Sequence, residues 1–255
     1  MARYLLMLLL LANTAAYAET TQTPDETNEE SVPSPLTTEL ELGYQSLSGN
    51  SDSQSMNTRL KFIYTKQRFY NTVEFKFLLA EKDGEEDKRK GSIEVQSNMI
   101  IDDRTYVFGN ANYIDDRYGP YYADFTFSSG LGYRLFRLQD FQMRAEAGPG
   151  YRHQEPNLDE IGSGDIIKRN LVDEPILRGY TTMTWKPSKT VEFSASLTGV
   201  VGNSNSTIES ELNMTSSVTE RIAIKISNTQ KLYSWVPDGL EKRDSTTMIN
   251  MLFKM

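Results

Sequence analysis

The sequence contains no cysteine. Disulfides and thiolate metal sites are therefore excluded, and with them the usual support of small secreted domains. Histidine occurs once, at position 153, which confines any imidazole chemistry to a single place. Beyond the first dozen residues no run is long and apolar enough to form a membrane-spanning helix. Basic residues are in deficit, 27 Lys and Arg against 35 Asp and Glu for a net charge of −8, and an acidic surface argues against nucleic acid as a partner. Phosphate-cradling Gly-Lys-Ser/Thr loops and metal-binding helix motifs are absent too. No cofactor or metal is called for.

What is present begins with a leader. Arg3 supplies a positive start, Tyr4 to Ala12 is an apolar run rich in Leu, and Ala16-Tyr17-Ala18 is an A-x-A cleavage site. Residues 1–18 read as a secretory signal peptide, the apolar run being too short to span a bilayer. Residues 19–37 are rich in acidic residues, Thr, Ser and Pro and read as a disordered acidic periplasmic tail.

Residues 38–255 carry a different signal. Segments such as Thr72-Val73-Glu74-Phe75-Lys76-Phe77-Leu78 and Val191-Glu192-Phe193-Ser194-Ala195-Ser196-Leu197 place an apolar residue at every second position. In a strand the two sets point to opposite faces, so one face seeks oil and the other water. Sustained over an exported chain, this predicts an all-β fold: a closed antiparallel transmembrane barrel of about twelve strands. Tight turns are expected at 66–68, 102–103, 137–139, 187–189 and 218–219, on the periplasmic side. Longer external connections are expected at 49–53, 81–90, 115–120, 154–170, 202–204 and 236–242. A soluble β-sandwich would alternate as well, yet it would not gather aromatics at strand ends. Here Tyr64, Phe69, Phe136, Phe141, Trp185 and Phe253 lie near the short-turn side, and Tyr113, Tyr121, Tyr122, Tyr151, Tyr233 and Trp235 near the longer loops. Two aromatic girdles at the membrane boundaries are the expected reading.

Alternation also assigns an outward, lipid-facing set, among them Leu60, Phe62, Phe75, Phe77, Phe127, Leu131, Leu197, Ile224, Ile226, Ile249 and Met251. The inward set is charged. Glu41, Arg59, Lys61, Glu74, Lys76, Glu94, Arg144, Glu146, Arg152, Arg178, Glu209, Glu211 and Lys225 are expected to line the lumen. Hairpin register puts Glu41 near Lys61, Lys61 near Glu74, Lys76 near Glu94 and Glu146 opposite Arg178. Interleaved charges in a small barrel would cross-link the walls and leave a narrow or filled pore. These charges either satisfy one another or mark a solute path, and the solute is not specified. The expected partners are outer-membrane lipid and, during biogenesis, the assembly machinery. That machinery reads a terminal aromatic, here Phe253, offset by Lys254 and Met255.

Two other chemistries have weaker support in the sequence. A lipid-acting hydrolase would need His153 beside a serine, and Ser128, Ser129 and Ser163 lack a nucleophile-elbow context. Asp83-Gly84-Glu85-Glu86-Asp87 lacks the alternating ligands of a calcium loop and reads as a solvated acidic loop.

Leu42-Gly43-Tyr44-Gln45-Ser46-Leu47-Ser48-Gly49-Asn50-Ser51-Asp52-Ser53 resembles the opening G-N-T-D-T hairpin of the salt-induced outer-membrane protein family, with Gly49, Asn50 and Asp52 carrying the motif. Gly148-Pro149-Gly150-Tyr151-Arg152 resembles that family's later G-x-G-Y-R strand, and Leu131-Gly132-Tyr133-Arg134-Leu135-Phe136 also fits. Ser51 and Ser53 stand where Thr is more usual. The resemblance implies an outer-membrane barrel, with an osmotic-stress role suggested by the family's label alone. It supplies no catalytic residues. A second Gly-Asn-Ser tip, Gly202-Asn203-Ser204, is explained by turn chemistry.

Overall fold

The computed structural model describes residues 34–47, 53–119, 121–157, 171–234 and 242–255. The leader, the acidic tail to position 33 and the Gly49-Asn50-Asp52 hairpin tip lie outside the described residues, as do Ser163 and Trp235.

Twelve strands form: β1 (Leu36–Leu47), β2 (Ser53–Lys66), β3 (Phe69–Lys82), β4 (Glu85–Ile100), β5 (Thr105–Asp116), β6 (Tyr121–Arg137), β7 (Phe141–Pro156), β8 (Val172–Trp185), β9 (Val191–Val201), β10 (Ser206–Ser217), β11 (Ile222–Tyr233) and β12 (Arg243–Lys254). Each pairs antiparallel with its neighbours in sequence, and β1 pairs with β12 to close the barrel. Closure leaves no sheet edge, which is the condition for a β-structure to sit in hydrocarbon. Strands of 11 to 17 residues meet or exceed the roughly 9–11 needed to cross a bilayer.

The burial pattern is inside-out. Large apolar side chains stand on the exterior, with Ile249 at 66% and Leu131 at 61% exposure, joined by Phe75, Phe127, Leu197 and Ile226. Charged groups are enclosed, Glu41 at 4% and Arg152 at 2%. In water this arrangement would be unstable; in lipid it places each set in its preferred medium.

The turns differ from expectation in one place. Residues 81–90 form a hairpin, not a loop: β3 runs to Lys82, β4 starts at Glu85, and only Asp83 and Gly84 turn. Both have positive φ, 53° and 83°, the two-residue geometry that suits the twist of flanking strands and that Asp-Gly favours. A register shift at Ala80/Glu81 accompanies it. Glu86 lies 3.4 Å from Arg117 and 3.8 Å from Arg89, so the acidic run is strand edge with cationic neighbours. At the opposite rim, Asp102 accepts from the backbone N–H groups of Arg104 and Thr105 at 2.8 and 2.7 Å. These bonds hold its carboxyl below the ordinary value.

Glycines set the inner contour of β6 and β7. Gly130 and Gly132 on β6 and Gly148 and Gly150 on β7 share the inward face with Ser128, Glu146 and Arg152. A Cβ at Gly132 would overlap the Tyr106 ring, and one at Gly148 would overlap the backbone of Ser129 and Gly130. Phe108 and Arg178, the register partners of Gly130 and Gly148, fill this recess. Phe108 is 1% exposed, and the Arg178 guanidinium lies 5.6 Å from its ring centroid. The two Gly-containing stretches are therefore where the wall thins to accept large inward side chains.

Candidate functional site: a charged lumen

The lumen encloses a cavity of about 970 Å³. Its lining runs from the short-turn rim, at Glu39, Arg137 and Lys254, to the loop rim, at Asp116, Asn205 and Tyr233.

One wall carries a balanced ion network. Arg59 on β2 lies 3.1 Å from Glu41 on β1 and 2.6 Å from Glu74 on β3. It also approaches Glu211 on β10 at 3.9 Å, reaching past β1, β12 and β11 to do so. Lys225 on β11 bonds Glu41 at 2.9 Å and approaches Glu211 at 4.0 Å. Lys76 bonds Glu74 at 2.9 Å, and its side chain keeps 43% exposure toward open lumen. Three cations and three carboxylates so connect β1 to β3 with β10 and β11. Asn250 donates to Glu41 at 3.2 Å and accepts from Asn57 at 3.0 Å, filling remaining bonds.

The facing wall is built on Glu146 of β7. It accepts from the Tyr106 hydroxyl at 2.8 Å, from Gln96 at 3.1 Å and from Arg178 at 3.1 Å. Its side chain has 0% exposure and that of Arg178 has 9%. Asn110 links this group to Glu94, donating to Glu94 at 2.7 Å and to Gln96 at 2.8 Å. Arg144 lies 6.0 Å from the Tyr180 ring centroid and Arg178 lies 5.0 Å from it.

At the loop rim, Arg152 and Glu174 form a buried ion pair. The β9–β10 tip folds onto it. The Ser204 N–H and Oγ donate to Glu174 at 2.8 and 2.7 Å, and Arg152 donates to the Asn205 carbonyl at 2.8 Å. A Cβ at Gly202 would overlap both charged groups, so the Gly-Asn-Ser tip is a clasp as well as a turn.

The residues expected to line the lumen sit as follows. Glu41, Arg59, Glu74, Lys76, Glu211 and Lys225 form the balanced network; Glu146 and Arg178 pair on the facing wall; and Arg152 pairs at the rim. Lys61, Glu94, Arg144 and Glu209 line the cavity. Partners differ from the register expectation. Glu41 stands opposite Arg59, and Lys61 opposite Glu39 as well as Glu74. Glu146 stands opposite Tyr180 and meets Arg178 diagonally. Tyr106, Gln96, Asn110 and Glu174 were not singled out by sequence, because neutral inward residues and a carboxylate at the start of a strand carry no charge pattern of their own.

His153 lies on the opposite face of β7 from Arg152. Its Nδ1 is 2.6 Å from Asp173 and its Nε2 is 3.9 Å from Glu155. Ser128 is buried in the lumen wall, and Ser129 donates to the Phe108 carbonyl at 2.9 Å. Among the described residues no serine hydroxyl bonds the imidazole. Asp83 to Asp87 belong to no cluster of His, Asp and Glu able to hold a metal among those residues.

Comparison with known proteins agrees with this architecture. The family model described as "Protein of unknown function, DUF481" matches residues 40–255. The uncharacterized protein YdiY of Escherichia coli (strain K12) is 21% identical over 228 residues, covering 88% of this chain and 85% of YdiY. Among solved structures, the NanC porin superposes with a TM-score of 0.52 at 12% identity, covering 85% of this chain and 98% of NanC. The KdgM porin gives 0.47 at 9% identity, over 85% of this chain and 98% of KdgM. What this chain shares with the NanC porin is the barrel fold.

Proposed function

We infer the function of this barrel from its membership and its interior: the chain belongs to the DUF481 family, and its lumen is one polar cavity lined from rim to rim. The protein acts as a narrow outer-membrane channel for small polar solutes, and it is not an enzyme. Export proceeds through the leader at 1–18. The observation that carries the reading is the cavity, whose walls offer charged and amide groups along its whole length, as conduction requires. The likeness to a porin supports the fold of such a channel. Lipid hydrolysis is not assigned, because among the described residues His153 has a carboxylate partner and no serine hydroxyl bonded to it. The salt-stress role has no counterpart in the barrel's geometry and is not assigned either.

The test is planar-bilayer conductance of the purified full chain, after heat-modifiable gel mobility has confirmed folding. Small, discrete steps are expected. Lys76→Ala, which empties part of the open lumen, should raise the step size. A folded wild type that stays silent would overturn the channel reading and leave a structural barrel.

A further inference from the structure

Charge is unevenly distributed along the lumen. The network of Arg59, Lys76, Lys225, Glu41, Glu74 and Glu211 is neutral as a set, with Glu94 standing opposite Glu74 beside it. The β5–β8 wall is not neutral in its short-turn half, where Arg134, Arg144 and Arg178 face Glu146. Arg134 and Arg144 occupy directly opposed register positions on β6 and β7, where like charges destabilise a strand pair. Each lies on an aromatic face instead of a carboxylate: Arg134 is 5.9 Å from the Tyr106 ring centroid and Arg144 is 6.0 Å from that of Tyr180. Arg178 shares the Tyr180 ring at 5.0 Å. Glu146 is the strand carboxylate of this half of the wall, since Asp116, Asp124 and Glu174 stand toward the loop rim, and its oxygens already take Tyr106, Gln96 and Arg178.

Two positive charges are therefore left over. Among the described residues neither Arg134 nor Arg144 forms an ion pair, and the Arg134 guanidinium donates to the backbone carbonyl of Asp103 at 3.3 Å. The Arg144 Nε is a buried donor without a partner, the kind of group that is costly unless something occupies it. All three arginines line the cavity, toward its short-turn half. The β-bulge at Arg134/Phe136 lies beside the opposed pair, re-aiming this end of β6.

We propose that Arg134, Arg144 and Arg178 form an anion subsite on the β5–β8 wall that receives a carboxylate-bearing small solute and makes the passage anion-selective. A planar carboxylate matches the guanidinium fork and would supply the acceptors that Glu146 cannot spare. The flanking Tyr106 and Tyr180 rings hold the guanidinium planes in place, so little ordering is required on binding. This deepens the channel reading and rests on it only for the selectivity.

The test has two arms. In the first, reversal potentials are measured across a KCl gradient for wild type, Arg134→Gln, Arg144→Gln and the double variant. Wild type should favour chloride, and each guanidinium removed should lower the chloride-to-potassium permeability ratio about tenfold, because one unit charge at ~6 Å in a water-like dielectric weights the anion up and the cation down by about threefold each. Arg144→Lys should retain selectivity, and guards against loss of folding in the Gln variants. In the second arm, citrate binding to the detergent-solubilised full chain is followed by calorimetry, which needs no conduction. Wild type should bind citrate and the double variant should not, while Lys189→Gln, at an exposed turn outside the cavity lining, should bind as wild type does. A silent bilayer with intact citrate binding would sink the channel and keep the subsite. Cation preference in a conducting wild type, or citrate binding unchanged in the double variant, would overturn the subsite.

Discussion

Glu146→Ala is the most demanding perturbation of this interior. The carboxylate is fully enclosed and Arg178 nearly so. Removing one partner of such a pair leaves an uncompensated buried charge, which costs about 3–5 kcal/mol. The Tyr106 hydroxyl and the Gln96 amide also lose their acceptor, each loss adding about 1 kcal/mol where water cannot replace it. Lumen water is close by, so the lower part of the range applies, and a net loss of about 3 kcal/mol is expected. That is a large share of the 5–15 kcal/mol typical of a folded domain. Arg178→Met packs an apolar chain against Phe108 in place of the guanidinium. Combined with Glu146→Ala it removes both charges, so the double variant should recover about 2 kcal/mol relative to the sum of the single losses. The assay is a urea titration of barrels refolded into lipid vesicles, scored by heat-modifiable mobility. A Glu146→Ala loss under about 1 kcal/mol, or strictly additive single effects, would refute the claim that this pair organises the β5–β8 wall.

Two further outcomes concern packing and assembly. Gly148→Ala should destabilise the barrel by about 1–3 kcal/mol in the same titration, because its Cβ would meet the backbone of β6, whereas Gly179→Ala, with open space at the Cβ position, should be near neutral. Phe253→Ala should lower the amount of assembled protein in outer-membrane fractions. Phe253 pairs with Leu40 on β1 and Ile222 on β11, at the seam that closes the barrel, and unchanged assembly would count against a role there.

Strand alternation is the part of this molecule that a reader of the sequence can follow. Thr72 to Leu78 shows which side chains share a face, since that depends only on a period of two. Partner identity is another matter. Glu41 meets Arg59 and not Lys61 because the hairpin register is slipped by two residues, which keeps every side chain on its face and changes only its neighbour. Residues 81–90 looked like a loop because they are charged. Beyond the bilayer a strand can be charged on both faces without penalty, and the Asp83-Gly84 turn sets the end of the hairpin. The inner glycines were legible only as motif letters. Their purpose is a space, and the side chains that fill it, Phe108, Tyr106 and Arg178, come from β5 and β8.

The balanced network on the β1–β3 and β10–β12 side constrains how this sequence can drift. Glu41 touches Arg59, 18 residues away along the chain, and Lys225, 184 residues away. Changing any one of the six members leaves a surplus charge in a narrow space, so neutral substitution must proceed by exchange: a carboxylate lost from the first strand has to be matched by a cation lost from the second or the eleventh. Sets of related sequences should show this as correlated variation between the two ends of the chain. The closure of the barrel would then be written into ancestry as a long-range dependency, visible without any structure.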